Sequence, residues 1–225
     1  MIFGLTDVIA VTTPLPQKFP LSQKFDVFQA DQSVGEATLR QSIEADGSKN
    51  VELRMVLGTK DLGTTVVQRS TTRADGTVTR KYQEVTAAGK PPRFVIISFG
   101  DGKANLVEDE KGTRQVSSFD RPLDLPPALN LSEFWLLRDT PTRGDSVEFS
   151  DFDYTRKEWR SVRTTYLGLT RIPGFDFPVH KVMSKTIVDG KERLVSVFSD
   201  ATGNPVRIID TAGFRLERVN SISIK

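Results

Sequence analysis

Residues 35–57 read GEATLRQSIEADGSKNVELRMVL, and their reading decides the fold. Between Glu36 and Glu44 the odd positions are Ala37, Leu39, Gln41 and Ile43, and the even ones are Glu36, Thr38, Arg40, Ser42 and Glu44. Successive side chains of a strand point to opposite faces, so a period of two predicts a half-buried strand. Asp46-Gly47 ends it, because glycine supplies the positive φ that a tight turn needs. Val51, Leu53, Met55 and Leu57 then alternate with Glu52, Arg54 and Val56, which predicts the return strand.

The same pattern spreads outward from this hairpin. Gly58–Gly63 leads to a strand over 64–72, and Asp75-Gly76 turns it into one over 77–86. Gly89–Pro92, Asp101-Gly102 and Lys111-Gly112 separate strands over 93–99, 103–108 and 113–119. After residue 140 the alternation resumes, with strands over 146–152, 156–167, 175–188, 192–199, 206–210 and 214–224. Consecutive strands joined by short polar turns make an antiparallel meander. Composition agrees. Val, Ile and Thr number 55, against 29 for Ala and Leu. β-branched residues suit a pleated surface, whereas Ala and Leu favour helices.

Between the two meanders the pattern breaks. Arg121–Asn130 holds Pro122, Pro126 and Pro127 and cannot enter a central strand. Asn130–Arg138 follows, with Ser132 as an N-cap and Glu133 in the first turn of a short helix. Phe134, Trp135, Leu136 and Leu137 are four large apolar residues in a row, and burying each is worth about 1.5–3 kcal/mol. An interdomain linker should be polar. The expectation is therefore a single β-rich domain over 24–225 with an insert at 121–140, preceded by an extended leader over 1–23. About a dozen strands in one sheet must curl. The expected fold is all-β: one large, strongly curved antiparallel sheet, half-barrel-like, with one short helical insert filling its hollow.

Function classes fall away quickly. The chain has no Cys and a single His, His180. Thiolate and multi-histidine metal sites are therefore excluded, as are disulfides and a cysteine nucleophile. Net charge is +2, with 31 basic and 29 acidic residues, so no nucleic-acid footprint is present. Gly-rich phosphate loops and the G-x-S-x-G elbow are absent. Asp176 and Ser184 lie four residues either side of His180, about 13 Å along a strand, too far for a triad. Asp151 and Asp153 read as solvated turn ends rather than a glycosidase pair. The basic run Arg156–Arg163 reads as the wet face of a strand. Asn130-Leu131-Ser132 matches a glycosylation sequon that matters only in a eukaryotic secretory context. The apolar start, MIFGLTDVIAV, reads either as the tail of a signal peptide with small residues around Ala10 or as an ordinary arm, and is too short to span a membrane.

Two segments carry a resemblance. Phe25-Asp26-Val27-Phe28 followed by Ser33-Val34-Gly35-Glu36-Ala37-Thr38-Leu39 is similar to the opening of bacterial envelope domains of unknown function. Asp200-Ala201-Thr202-Gly203-Asn204-Pro205-Val206-Arg207 resembles a turn of the lipoprotein-carrier (LolA/LolB-like) fold group. The sequence departs from that pattern at Asp31-Gln32 and by a final turn one residue shorter. The resemblance implies a curved sheet whose hollow holds an apolar ligand, as the carriers hold acyl chains.

The functional expectation is a non-enzymatic, exported or periplasmic binding module, although a cysteine-free chain also suits the cytosol. It needs no cofactor or metal. Its ligand is apolar or lipid-like, held by Met55, Phe134, Trp135, Trp159 and Met183, since Met and Trp suit adaptable apolar pockets. The alternative is an envelope interaction protein with a filled core and a protein partner.

Overall fold

The structure, a computed structural model, describes residues 21–58, 63–127, 136 and 140–219. Its strands are β1 (Leu21–Gln29), β2 (Gln32–Ile43), β3 (Lys49–Leu57), β4 (Thr64–Thr72), β5 (Val78–Ala87), β6 (Arg93–Gly100) and β7 (Lys103–Glu110). They continue with β8 (Thr113–Asp120), β9 (Ser146–Asp153), β10 (Glu158–Thr170), β11 (Val179–Val188), β12 (Lys191–Ser199), β13 (Pro205–Asp210) and β14 (Phe214–Arg218). All fourteen form one antiparallel sheet in the order β8-β7-β6-β5-β4-β3-β2-β1-β14-β13-β12-β11-β10-β9. The all-β curved-sheet expectation is met. Leu136 is helical, while Phe134, Trp135 and the sequon lie outside the described residues.

The turns form as the sequence predicts. At Asp101-Gly102 both residues have positive φ, 51° and 71°, the geometry that joins strands without splaying them. The strand expected over 175–188 begins only at Val179, because Pro178 has no N–H to donate to a ladder.

The pairing that closes the centre of the sheet is non-local. β1 pairs with β14, Val27 opposite Leu216, so the two meanders are joined into one surface through the ends of the described chain. Gly35 sits at a close approach beside that centre. A Cβ there would lie 2.0 Å from the Val56 carbonyl oxygen.

Register defines the two faces. Leu21, Gln41, Val51, Ser70, Lys81, Ile97 and Leu106 stand opposite one another in succession from β1 to β7, so all share one face. On the other limb Tyr166, Val182, Val197, Ile208 and Leu216 form a row on that same face. This is the inner face, and it carries the central core of Phe25, Val27, Ala37, Leu39, Met55 and Leu216. A second inner cluster joins Tyr166 and Val182 to Val147, Phe149 and Leu136 of the insert.

No ladder joins the end strands β8 and β9. The sheet closes by a different device. Phe152 and Trp159 are register partners on β9 and β10, and they alternate with Asp151 and Arg160, which face inward. Phe152 and Trp159 therefore belong to the outer face. Yet they pack with Val95, Ile97, Ala104 and Leu106, which belong to the inner face of β6 and β7. The sheet thus rolls past closure, and its β6–β8 limb laps over the outside of β9–β10. Aromatic contacts seal the lap: Phe119 and Phe152 ring centres are 5.1 Å apart, and Phe99 and Trp159 5.7 Å. The Trp159 Nε1–H also donates to the Phe119 carbonyl at 3.3 Å.

Candidate functional site

The roll leaves a hollow between its limbs. One part, of about 650 Å³, lies between β3–β6 and the ends of β9, β10 and β12. A second part, about 420 Å³, continues toward β11 and β12. Ser70, Lys81, Asp151, Arg160 and Arg193 line both parts and mark where they meet. Specific ligand pockets run roughly from 300 to 1,000 Å³, so either part is of sufficient size.

The walls differ in chemistry. Leu39, Val51 and Leu53 make one apolar patch and Val95 and Ile97 another, and Gln68, Ser70, Lys81 and Gln83 of β4 and β5 stand between the two. Asp151, Asp153 and Arg160 of β9 and β10, which sequence reasoning placed elsewhere, add charge to the hollow beside Lys81. Arg160 was expected on a wet face, but its alternation with Val162 and Thr164 puts it inside, with its side chain only 16% exposed. Asp153 is a turn end, as expected, but its side chain is only 10% exposed, while Asp151 faces inward and keeps 39% exposure. Lys81 bridges to Asp151, and Arg160 to Asp153. Asp153 also caps the β9–β10 turn, accepting from the Thr155 amide at 2.8 Å. Arg193 reaches Asp210 at 3.1 Å. Burial pushes the Arg160 guanidinium below its ordinary value; Asp151 opposes this, and the like charge of Arg193 adds to it.

The expected ligand residues are dispersed. Met55 is inward but packed in the central core, at 8% exposure. Met183 stands opposite Thr165 and Ser196, in the row between the inner ones, and so faces outward. Trp159 seals the lap rather than lining the hollow. Phe134 and Trp135 lie outside the described residues, but their neighbour Leu136 does pack on the inner face.

His180 is half-buried on the inner face, its Nδ1 2.9 Å from the Tyr166 hydroxyl. Burial lowers its pKa, and the nearby Asp200 carboxylate opposes that. Ser184 shares its face but is bonded to the Thr164 hydroxyl at 2.8 Å, and Asp176 lies outside any strand. No nucleophile–base pair is assembled there.

The Asp200 turn has a firm physical role. Its carboxylate accepts from the amides of Thr202 at 3.0 Å and Asn204 at 3.1 Å, and it meets Arg218 of β14 at 2.8 Å. The turn therefore ties β12–β13 to the strand that joins the two meanders. Among the described residues, no group of His, Asp and Glu could hold a metal ion, and no helix is long and apolar enough to cross a membrane.

No family model and no curated protein matches the chain. Solved structures do resemble it. One is a β-barrel-like protein of the domain of unknown function DUF1849 from Brucella abortus, with 12% identity and a TM-score of 0.58, covering 89% of this chain and 95% of that one. Another is a DUF1089 family protein from Pseudomonas aeruginosa, with 19% identity and a TM-score of 0.43, covering 78% and 89%. The likeness to the Brucella protein extends over nearly the whole of both chains and is one of fold.

Proposed function

We propose that the protein is a non-enzymatic binding module of the bacterial cell envelope that holds a lipid-like ligand inside its rolled sheet. One observation carries the reading: the hollow has apolar surface on β2–β3, from Leu39, Val51 and Leu53, and on β6, from Val95 and Ile97, with the polar Gln68, Ser70, Lys81 and Gln83 of β4–β5 between them. A filled core would leave no such space. The sequence resemblance of the Asp200–Arg207 turn to that of lipoprotein carriers supports the same reading, with one difference. The apolar surface here is interrupted by polar and charged residues, which suits an amphiphile better than a purely apolar chain.

Ser70 supplies the test. It stands on the inner face where the two parts of the hollow meet, and it is not part of any apolar core cluster. Ser70→Trp should block the hollow while leaving the roll folded. Titration with a dansyl-labelled undecanoate should give saturable fluorescence enhancement with the native chain and none with Ser70→Trp. A native chain that gives no enhancement overturns the reading.

A second reading, an envelope interaction protein, draws on one feature. β8 is an end strand with Val116 69% exposed, and a free edge can accept a partner strand. Co-purification of a stoichiometric partner, lost on Val116→Lys, would favour it.

A further inference from the structure

Charge inside the hollow is unevenly supplied. Three cations on three different strands, Lys81 of β5, Arg160 of β10 and Arg193 of β12, line its junction. The carboxylates lining that junction and its mouth are Asp151 and Asp153, already taken by Lys81 and Arg160. The partner of Arg193 is Asp210, whose other oxygen accepts the amides of Ala212 at 2.9 Å and Phe214 at 3.0 Å in the β13–β14 turn. That carboxylate is committed to a turn and is not one of the hollow's lining residues.

Donor capacity is likewise in excess. A guanidinium offers five N–H donors. Arg160 and Arg193 each spend one hydrogen bond on a carboxylate, through a single terminal nitrogen. The two guanidiniums are close enough to feel each other's charge.

We propose that Lys81, Arg160 and Arg193 form the head-group site of the hollow, and that its ligand is an amphiphile with an anionic head, a carboxylate or a phosphate, whose chain lies along Leu39, Val51 and Leu53 of β2 and β3. This rests on the hollow being a ligand site and adds the chemical class of the ligand. The head would accept hydrogen bonds from the free guanidinium N–H groups and compete with Asp151 for Lys81. Charge-assisted bonds of this kind are roughly twice as strong as neutral ones.

The experiment uses the full chain and displacement of the dansyl probe by palmitate, lysophosphatidate and hexadecanol, which share a long chain and differ at the head. At least one of the two anions should displace at a concentration about 10-fold or more below that of hexadecanol, a difference of about 1.4 kcal/mol. The better anion identifies the head. Two variants should move in opposite directions. Arg193→Gln should erase most of the preference for the anion. Asp151→Asn removes the internal competitor and should widen it. A loss of folding would weaken binding in both variants alike, so opposite signs exclude it, and thermal melting of each variant checks the same point. Equal displacement by anions and alcohol in the native chain overturns the head-group site while leaving the hollow as an apolar site. Failure of the dansyl probe itself to bind removes both.

Discussion

Phe152→Ala perturbs the lap where the sheet has no backbone ladder to hold it. Phe152 is 2% exposed and packs against Val95, Ile97, Ala104 and Leu106 across the lap. Removing its ring forfeits most of a transfer term of about 1.5–3 kcal/mol. It also dissolves two ring pairs, with Phe119 and Trp159, each worth about 0.5–1.5 kcal/mol. Strand ladders on either side limit how far the gap can collapse, so a cavity penalty adds. The expected cost is about 3–5 kcal/mol, at the level of other buried Phe→Ala changes. For a chain of this size that is a fall of roughly 6–20 °C in melting temperature. Urea unfolding followed by circular dichroism measures the cost.

A second probe reports where the damage falls. With Trp135→Phe as background, Trp159 is the one remaining tryptophan. Its emission should shift to the red in Phe152→Ala under native conditions, because the β6–β8 limb no longer seals it. Phe25→Ala, at the centre of the sheet, should cost a similar amount without that shift. A cost below about 1 kcal/mol for Phe152→Ala, well under the buried-aromatic range, with unchanged Trp159 emission, would show that the lap does not hold the roll closed.

Other expectations follow from single positions. Gly35→Ala forces a Cβ to within 2.0 Å of the Val56 carbonyl, so β2 and β3 must separate locally, and urea unfolding should register a loss of about 1–3 kcal/mol. Asp200→Ala removes the acceptor of two backbone amides and the Arg218 partner from one turn; the Asp200 and Arg218 side chains are both 18% exposed, so a loss of about 1–3 kcal/mol is expected by the same assay. His180 has a folded pKa below its unfolded value of about 6.5, so its contribution is intact above that pH and is lost as the pH falls through the folded value. The native chain should therefore lose stability on acidification through this window more steeply than His180→Gln, and parallel pH profiles of unfolding free energy would contradict this.

Much of the fold was legible because its signals are local. The alternation from Glu36 to Leu57 and the Asp-Gly turns act over a few residues, and the strands formed where that chemistry placed them. What joins the meanders is not local. Nothing in Phe25–Phe28 or Phe214–Arg218 marks each as the other's neighbour, and loop closure over so many residues leaves no periodic trace. The lap left a faint one. β9 and β10 carry large apolar residues on both faces, Phe149 with Phe152 and Val162 with Trp159, which a strand wet on one side does not need. The head-group residues were hidden by their type. Arg160 was assigned to solvent by its charge, although its parity with Val162 already placed it inside. Met55 and Met183 were chosen by residue type instead of parity, and they went to the core and to the outer face. Lys81 and Arg193 come from strands far apart in sequence, so only the roll brings them to one hollow.

The most direct measurement is native mass spectrometry of the purified full chain, with organic extraction of whatever it carries. An adduct with the mass of an anionic amphiphile is expected, recovered in the extract and absent from Ser70→Trp. A native chain at its bare mass that also acquires no adduct after incubation with palmitate or lysophosphatidate would contradict it.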